Sequence, residues 1–385
     1  MISYGRQSIS EEDFDAVRQV LASDFLTQGP QAPLFEQALK SLVEANYAVA
    51  VNSATSALHI ACLALGVAEG DNVWTTPISF VASSNCAVMC GANVNFVDID
   101  PVSRNLDVAA LEFRLERASE SGTLPKVVIP VHLAGDPCDM QKIHELAGKF
   151  GFKIIEDASH ALGALLDGSP VGNCKYSDIT IFSFHPVKMI TTAEGGMATT
   201  NDAKLAENMC RLRSHGVVKD PSDFIYKQGK PWQYEQQILG FNYRMNDIQA
   251  ALGVSQLSRI SDFLQKRTNI VRNYLDAFRD LPLILPNSNS QNHSSWHLFI
   301  IEVLGSTEEK QRSDLFNHLL SWGISTNVHY EPIHLQPFYS KFGFKENDFP
   351  LAERYARRCL SLPLYPDLDE NTQNRIIDAV TEFYQ

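Results

Sequence analysis

Short apolar runs alternate with helix-like segments from about residue 48 to residue 200. The runs at 127–131 and 153–155 place apolar side chains on consecutive positions, which is typical of parallel strands buried on both faces. The run at 48–51 leads directly into a helical pattern at 57–65. Such alternation predicts an α/β protein with a mostly parallel sheet covered by helices.

Outside this region, helical spacing predicts further helices at 10–23, 202–215, 246–257 and 258–278. The stretch 216–240 mixes proline, lysine, glutamine and aromatic residues without periodicity, so it predicts a long functional loop. A strand-like run occupies 324–328. The length of 385 residues suits two domains, and we expect a large domain over 1–257 and a smaller C-terminal α/β domain over 258–385.

Composition limits the partners of this chain. Its 45 acidic and 32 basic side chains give a formal net charge of −13, which argues against nucleic acid as a partner. No apolar stretch approaches the roughly 20 residues needed to cross a bilayer, and the first residues lack the charged and apolar regions of a signal peptide. We therefore expect a cytoplasmic protein that does not associate with a membrane.

The seven cysteines include no CxxC pair. Cys86 and Cys90 are four residues apart on a predicted helix, a spacing that more often reflects packing than metal binding. We expect no metal site.

One lysine stands apart from the other charged residues. Lys188 lies in the segment SFHPVKMITTAEGG at 183–196, among small and weakly charged neighbours and just after an apolar run. An amine in such a place loses its proton more easily than a solvated one and can form a Schiff base with an aldehyde. The alternative is an ordinary surface lysine, which is what most lysines are.

An acid and an imidazole follow the run at 153–155. Asp157 and His160 come at the carboxyl end of this predicted strand, and ligands of open α/β sheets bind at that edge. A carboxylate there could keep a pyridine nitrogen protonated, as pyridoxal phosphate chemistry requires. The alternative role of Asp157 is that of a helix N-cap.

Small hydroxyl residues open the helical pattern that follows residue 51. Thr55 and Ser56 lie at this predicted helix start, where free backbone N–H groups and the helix dipole favour an anion. Taken alone, these side chains could be plain caps. A pyridoxal phosphate enzyme needs these three features together: a lysine, an aspartate at the end of a strand, and a helix start with hydroxyl side chains.

The chain resembles the DegT/DnrJ/EryC1/StrS sugar aminotransferases, which belong to the fold type I pyridoxal phosphate enzymes. The resemblance runs almost from end to end and rests on motifs in the family's order and spacing: NSATSALH at 52–59, PISFVA at 77–82, EDASHALGA at 156–164, the Lys188 segment, and GFNYRM at 240–245. It implies a mostly parallel seven-stranded sheet with helices on both faces and a smaller C-terminal domain.

The resemblance also implies a role for each matching residue around pyridoxal 5'-phosphate. Lys188 would hold the cofactor covalently and move the proton, Asp157 would pair with the pyridine nitrogen, His160 would lie near the phenolic oxygen, Phe80 would stack on the ring, and Thr55, Ser56 and Ser183 would hold the phosphate. Asn242 would reach the phosphate of the neighbouring subunit, so the expected active unit is a homodimer with shared sites. Phe80 could instead be ordinary core, and Asn242 could have only a local turn role.

Within the family, SFHPVK followed by ITT, together with residues 231–242, looks most similar to members of the pseudaminic acid pathway, although Met189 stands where those members more often carry proline. This implies transfer of an amino group from L-glutamate to C4 of a UDP-linked 2-acetamido-2,6-dideoxy-hexos-4-ulose. His329 and Tyr330 would contact the sugar nucleotide; the alternative is a packed interdomain turn.

Three other functions stay open. The first is an aminotransferase for another nucleotide-linked 4-keto sugar, such as a D-configured UDP sugar or a dTDP sugar. The second is a sugar dehydratase, which Lys188 disfavours because related dehydratases carry histidine in place of that lysine. The third is a non-catalytic regulator that binds pyridoxal phosphate.

Overall fold

The computed structural model describes residues 1–226, 229–286, 293–304 and 308–385. Its α-helices are α1 Glu11–Leu21, α2 Gln31–Val43, α3 Ala54–Ala64, α4 Ala82–Met89, α5 Val108–Ser121, α6 Met140–Phe150, α7 Ala203–Arg213, α8 Asp247–Leu257, α9 Ile260–Phe278, α10 Glu308–Ser321, α11 Pro337–Ser340, α12 Pro350–Arg358 and α13 Glu370–Tyr384. Its strands are β1 Tyr47–Val51, β2 Asn72–Thr75, β3 Asn93–Phe96, β4 Val127–Ile129, β5 Lys153–Asp157, β6 Leu165–Leu166, β7 Ser169–Pro170, β8 Ile179–Ser183, β9 Gly196–Thr200, β10 Val217–Val218, β11 Glu235–Gln236, β12 Leu283–Ile284, β13 Phe299–Val303 and β14 Cys359–Leu362.

A seven-stranded sheet in the order β1-β9-β8-β5-β4-β2-β3 forms the centre of the molecule. The pairs from β8 through β5, β4 and β2 to β3 are parallel, whereas β9 runs antiparallel to both of its neighbours. The expected α/β architecture with a mostly parallel sheet is therefore confirmed. Its parallel strands end at one edge, where their carboxyl ends and the loops after them can build a site.

Consecutive apolar residues form these strands because both faces of the sheet are covered by helices. On β1, Val49 and Val51 pack in one buried cluster with α3 and α7, while Ala50 packs in another with α2 and α8. Successive side chains of a strand point to opposite faces, so an apolar run buries both. Each fully buried aliphatic side chain contributes about 1.5–3 kcal/mol relative to exposure.

The predicted helix starts are confirmed where a polar residue satisfies free backbone groups. Asp202 accepts hydrogen bonds from the first-turn amides of α7, at 2.7 and 3.2 Å. Asn246 and Gln249 exchange hydrogen bonds in a capping box at the start of α8. Before α1, the Ser10 N–H donates to the Asp13 carboxylate at 3.0 Å.

A second core fills the C-terminal part of the chain. The sheet β12-β13-β14 packs there with α10 and α13 around buried residues such as Phe299. Helix α9 contributes Phe263 to the core of the large sheet and Tyr274 to this second core, so the division at residue 258 stays a prediction. The strand expected at 324–328 is wrong: the run makes only isolated bridges, from Ile324 to Ile2 and from Asn327 to Ser361.

The stretch 216–240 contains a two-residue antiparallel ladder between β10 and β11. Residues 227–228 of this predicted loop lie outside the described residues.

Across the described chain, no helix has the length and apolar character needed to cross a membrane.

Candidate active site

Three strand ends meet the start of α3 at the edge of the sheet. Val51 of β1 pairs with Gly196 of β9, and Gly196 pairs in turn with Ser183 of β8. Helix α3 begins at Ala54, three residues after Val51. The register therefore places Ser183 beside the N-terminus of α3, although more than a hundred residues separate them in sequence.

The first turn of α3 carries free polar groups. Ser53 caps the helix by accepting the Ser56 amide at 3.1 Å, whereas within the described ranges the amides of Ala54 and Thr55 donate to no acceptor. The Ser56 hydroxyl is already engaged, because it donates to Asn52 at 2.7 Å. The helix start consequently offers backbone donors with the Thr55 hydroxyl beside them, the chemistry that binds a phosphate group.

Gly196 lets β9 approach this helix start. A Cβ atom at this position would lie 2.5 Å from the Ala54 amide nitrogen and 2.5 Å from the Ser53 carbonyl carbon. Any side chain here would collide with backbone and fill the space beside the donors. Sequence reasoning quoted this glycine as part of the lysine segment and gave it no role.

Asp157 ends β5 and is held in place by hydroxyl groups. Its carboxylate accepts from the Ser83 hydroxyl at 2.6 Å and from the Ser159 amide at 3.1 Å, and Ser79 bonds Ser83 at 2.7 Å. Asp157 pairs in register with Ile181, two residues before Ser183, so about 8 Å separates the two Cα positions by ordinary sheet spacings. A pyridine ring with a phosphate arm fits between such groups.

Lys188 lies in the loop that joins β8 to β9. Buried Met189 and Ile190 anchor this loop, and Phe184 bonds back to it through the Thr192 amide at 3.0 Å. Burial lowers the pKa of the Lys188 amine to about 8, although the Asp157 carboxylate opposes part of that shift. Among the described residues the amine has no hydrogen-bond partner, so its neutral form is free to attack an aldehyde carbon.

His160 connects this site to the C-terminal part of the chain. The Ala134 amide donates to its Nδ1 at 3.3 Å, and its Nε2 lies 3.1 Å from the Tyr330 hydroxyl. Burial, helped by the charges of Lys188 and His329, keeps the pKa of His160 well below its usual range. Because Nδ1 accepts, the neutral ring carries its proton on Nε2 and donates it to Tyr330. The Tyr330 hydroxyl can then donate its own proton elsewhere in the site.

The charge of Lys188 reaches two further histidines. His329 is buried, its Nδ1 lies 2.7 Å from the Ser361 hydroxyl, and burial and the Lys188 charge lower its pKa to about 3. His297 is also buried, and its ring centroid lies 4.4 Å from that of His160. Burial keeps the pKa of His297 well below its usual range, with the His160 and Lys188 charges adding to that effect. Sequence reasoning singled out His329 and missed His297, which no motif marked.

Phe80 and Asn242 are the exposed members of the predicted set. The Phe80 side chain is 60% exposed one turn before Ser83, so it is free to cover a ligand held at Asp157 rather than serving as core. Asn242 is exposed as well; its backbone oxygen accepts from Asn52 at 3.4 Å, and it bridges to Ser214. The roles of both residues stay predictions.

Together these groups fit pyridoxal 5'-phosphate. An amine with a lowered pKa, a fixed carboxylate and a helix start with free donors lie along one sheet edge, as an aldehyde, a pyridine nitrogen and a phosphate require. Across the described ranges, no cluster of three or more His, Cys, Asp or Glu side chains is arranged to hold a metal ion.

Comparison with known proteins supports pyridoxal phosphate as the cofactor. The profile of the DegT/DnrJ/EryC1/StrS aminotransferase family matches residues 7–381. A relative from Campylobacter jejuni, UDP-4-amino-4,6-dideoxy-N-acetyl-beta-L-altrosamine transaminase, is 38% identical over 370 residues, which are 96% of this chain and 94% of the relative.

Two solved structures share the fold over their whole length. Helicobacter pylori PseC, an aminotransferase involved in the biosynthesis of pseudoaminic acid, has a TM-score of 0.90 and 32% identity, and the match covers 100% of this chain and 99% of PseC. Spr1654 from Streptococcus pneumoniae, solved in its PMP form, has a TM-score of 0.91 and 30% identity, with 100% and 99% of the two chains covered. These likenesses confirm the fold type I expectation.

Proposed function

This chain belongs to the DegT/DnrJ/EryC1/StrS aminotransferase family, and we propose that it transfers an amino group from L-glutamate to C4 of UDP-2-acetamido-2,6-dideoxy-β-L-arabino-hex-4-ulose. The product would be UDP-4-amino-4,6-dideoxy-N-acetyl-β-L-altrosamine, a precursor of pseudaminic acid. The main support for transaminase chemistry is the half-buried Lys188 amine, which has no hydrogen-bond partner among the described residues and lies at the same sheet edge as Asp157. The choice of sugar is supported by the name of the Campylobacter jejuni relative and by the likeness to PseC.

Pyridoxal 5'-phosphate is the cofactor of this family, and when bound it supplies a carbonyl group and an electron sink. The Asp157 carboxylate would keep the ring nitrogen of the cofactor protonated. Hydrogen bonds from Ser83 and Ser159 fix the position of this carboxylate. The N-terminus of α3, Thr55 and Ser183 would hold the phosphate. Ser56 supports them through the cap.

Lys188 moves the proton. Its Nζ removes the proton from Cα of the amino donor and returns a proton to C4 of the sugar in the second half of the reaction. A pKa of about 8 suits both directions near neutral pH, because the amine can accept and release a proton. Both substrates use the same lysine, so donor and sugar occupy one pocket in turn and the kinetics are ping-pong.

Tyr330 and His329 are the residues that we propose for the sugar substrate. Tyr330 is oriented by His160, and its hydroxyl proton is available to an acceptor in the site. The ring of His329 is held by Ser361, and its carbonyl accepts from the Tyr355 hydroxyl at 3.0 Å. We propose that this turn positions the hexose so that C4 faces Lys188.

A turnover panel tests the substrate. The purified enzyme with L-glutamate should convert the UDP-linked L-arabino 4-keto sugar with a kcat/KM at least roughly tenfold above that for the D-configured UDP isomer and for a dTDP-4-keto-6-deoxy sugar, because a misplaced ring costs more than about 1.4 kcal/mol at the reacting carbon. Product formation is followed by mass spectrometry and the stereochemistry by NMR. Preference for another sugar would contradict the proposed pathway but not the transaminase activity. Turnover of none of these sugars would support the non-catalytic regulator.

We also propose that the active unit is a homodimer whose sites are shared through Asn242. The exposed apolar side chains of the segment that precedes this residue support a covered surface in the assembled protein: Tyr226, Trp232, Tyr234 and Leu239 are each more than 60% exposed. Exposed apolar groups in such numbers mark interaction sites. Asn242 follows this segment in the chain and is itself exposed, so it is available to a second subunit.

Subunit mixing tests the shared site. A Lys188→Ala subunit and an impaired Asn242→Ala subunit, each inactive as a homodimer, should form heterodimers in which one site carries both defects and the other carries neither. Activity should recover to about half that of one normal dimer, because the intact site meets its positioning requirements. Heterodimer formation is checked with two affinity tags. Heterodimers that form without activity would place Asn242 in its own subunit's site or outside the chemistry.

A further inference from the structure

The ring of His297 packs against the ring of His160. His297 is buried, and the two ring centroids lie 4.4 Å apart with their planes at 44°. The main chain holds His297 on both sides: its amide donates to the Ala134 carbonyl at 2.9 Å, and its carbonyl accepts from Arg267 Nη1 at 3.1 Å. These backbone contacts fix the place at which the His297 ring meets His160.

Ser295 holds the main chain of His160. Its hydroxyl donates to the His160 carbonyl at 2.7 Å, and its amide donates to the Gly135 carbonyl at 3.1 Å. Gly135 has a φ of +96°, and a Cβ atom there would lie 2.2 Å from the Ser295 Oγ, so only glycine allows this close approach. The segments 134–135 and 295–297, which we call the His160 clamp, therefore contact His160 at its Nδ1, its ring and its carbonyl.

The backbone of the His160 clamp is strained at two positions. Ala134 has a φ of +59° and Trp296 has a φ of +52°, in the left-handed region that residues with a side chain rarely occupy. Such a conformation persists only where surrounding contacts impose it, and Arg267 Nη1 donates to the carbonyls of Trp296 and His297 at 3.2 and 3.1 Å. Backbone strain of this kind is concentrated at functional sites. The functional group that the clamp contacts is His160.

We propose that Ser295 and His297 are positioning residues for amino transfer to the sugar. They hold His160 so that its Nε2, 3.1 Å from the Tyr330 hydroxyl, keeps that hydroxyl directed at the hexose. This inference rests on the proposed role of Tyr330 in the sugar site. A His160 ring that shifts or tilts loses the geometry that a hydrogen bond requires, and the Tyr330 hydroxyl then leaves its productive orientation.

Crystal structures of cofactor-loaded variants test the placement without a substrate. In His297→Ala, the His160 ring should move into the space left by the missing imidazole, and its Nε2 should lie more than about 3.5 Å from the Tyr330 hydroxyl, beyond hydrogen-bond reach. If His297→Ala does not fold, Ser295→Ala, which removes only one hydroxyl, carries the same test. An unchanged contact between His160 and Tyr330 in the folded variants overturns the proposal.

A double-mutant cycle tests the effect on the rate. The step measured is a single round of amino transfer to the best sugar of the turnover panel, per folded and cofactor-loaded site, after the amino group has been loaded from L-glutamate. Ser295→Ala should slow this step by roughly fivefold in the wild-type background. It should slow it by less than about twofold when Tyr330→Phe is already present, because the hydroxyl that depends on the clamp is then gone. Equal losses in both backgrounds would mean that Ser295 has a purely structural role.

Thr199→Val is the matched control. Thr199 of β9 is also buried and donates its hydroxyl to a carbonyl, that of Gly172 at 2.8 Å, but it lies outside the His160 clamp. This variant should lower thermal stability and leave the sugar step within about twofold. If the wild-type enzyme converts none of the sugars, the proposed function fails, and the crystal structures alone decide the positioning role. If it converts a sugar and the losses in the cycle are additive, only the positioning role fails.

Discussion

Lys188→Ala is expected to lower the rate of amino-group transfer by roughly 10⁴-fold or more. The variant loses the covalent hold on the cofactor aldehyde and the group that moves the proton, whereas Asp157 and the phosphate donors remain. Single-turnover measurement with L-glutamate separates this loss from a change in substrate affinity. The fold should survive, because the side chain makes no hydrogen bond within the described residues.

A matched control is Lys153→Ala. Lys153 begins β5, the strand that Asp157 ends, and its exposed amine pairs with Asp178 at 2.9 Å. Its loss should leave turnover within about twofold, since exposed ion pairs contribute little. Borohydride reduction of the wild-type holoenzyme should fix the pyridoxyl group on Lys188. A label on another lysine, or normal turnover without Lys188, would remove the central residue of the mechanism.

The sheet could be predicted from the sequence alone because the apolar pattern that indicates a buried strand lies within the strand itself. Consecutive apolar residues at 127–131 and 153–155 are what a strand buried on both faces requires, and β4 and β5 lie there. The run at 324–328 gave the same signal, but each end finds only a single bridging partner, Ile2 and Ser361, so no regular strand forms. Strand pairing depends on a neighbour, which a local pattern does not contain.

The contacts that support the site join distant parts of the chain, so local patterns do not predict them. Ser83 contacts Asp157 across 74 positions, and Tyr330 contacts His160 across 170. Asp157 and His160 were found because they follow a strand directly, and Tyr330 was found only through the family resemblance. His297 carried no signal at all, since its place beside His160 arises from packing of the chain around Ala134, whose carbonyl accepts the His297 amide at 2.9 Å.

The second large effect concerns the electron sink. Asp157→Asn should slow the half-reaction with L-glutamate by roughly a thousandfold, because a carboxamide does not stabilise a protonated ring nitrogen where charge develops. Much of the cofactor should stay bound, since the α3 N-terminus, Thr55 and Ser183 are untouched. The measurement is stopped-flow absorbance at matched cofactor occupancy.

Two further variants show whether this loss comes from the charge at Asp157. Ser83→Ala removes one hydrogen bond to the carboxylate and leaves the Ser159 amide, so it should cost only about tenfold. Glu156→Gln neutralises the neighbouring buried carboxylate, which pairs with His132 at 2.9 Å. Successive side chains of a strand point to opposite faces, so this variant should lower thermal stability while the rate per folded, cofactor-loaded site stays near normal. Near-normal turnover in Asp157→Asn, or an equal loss in Glu156→Gln, would mean that Asp157 does not act at the ring nitrogen.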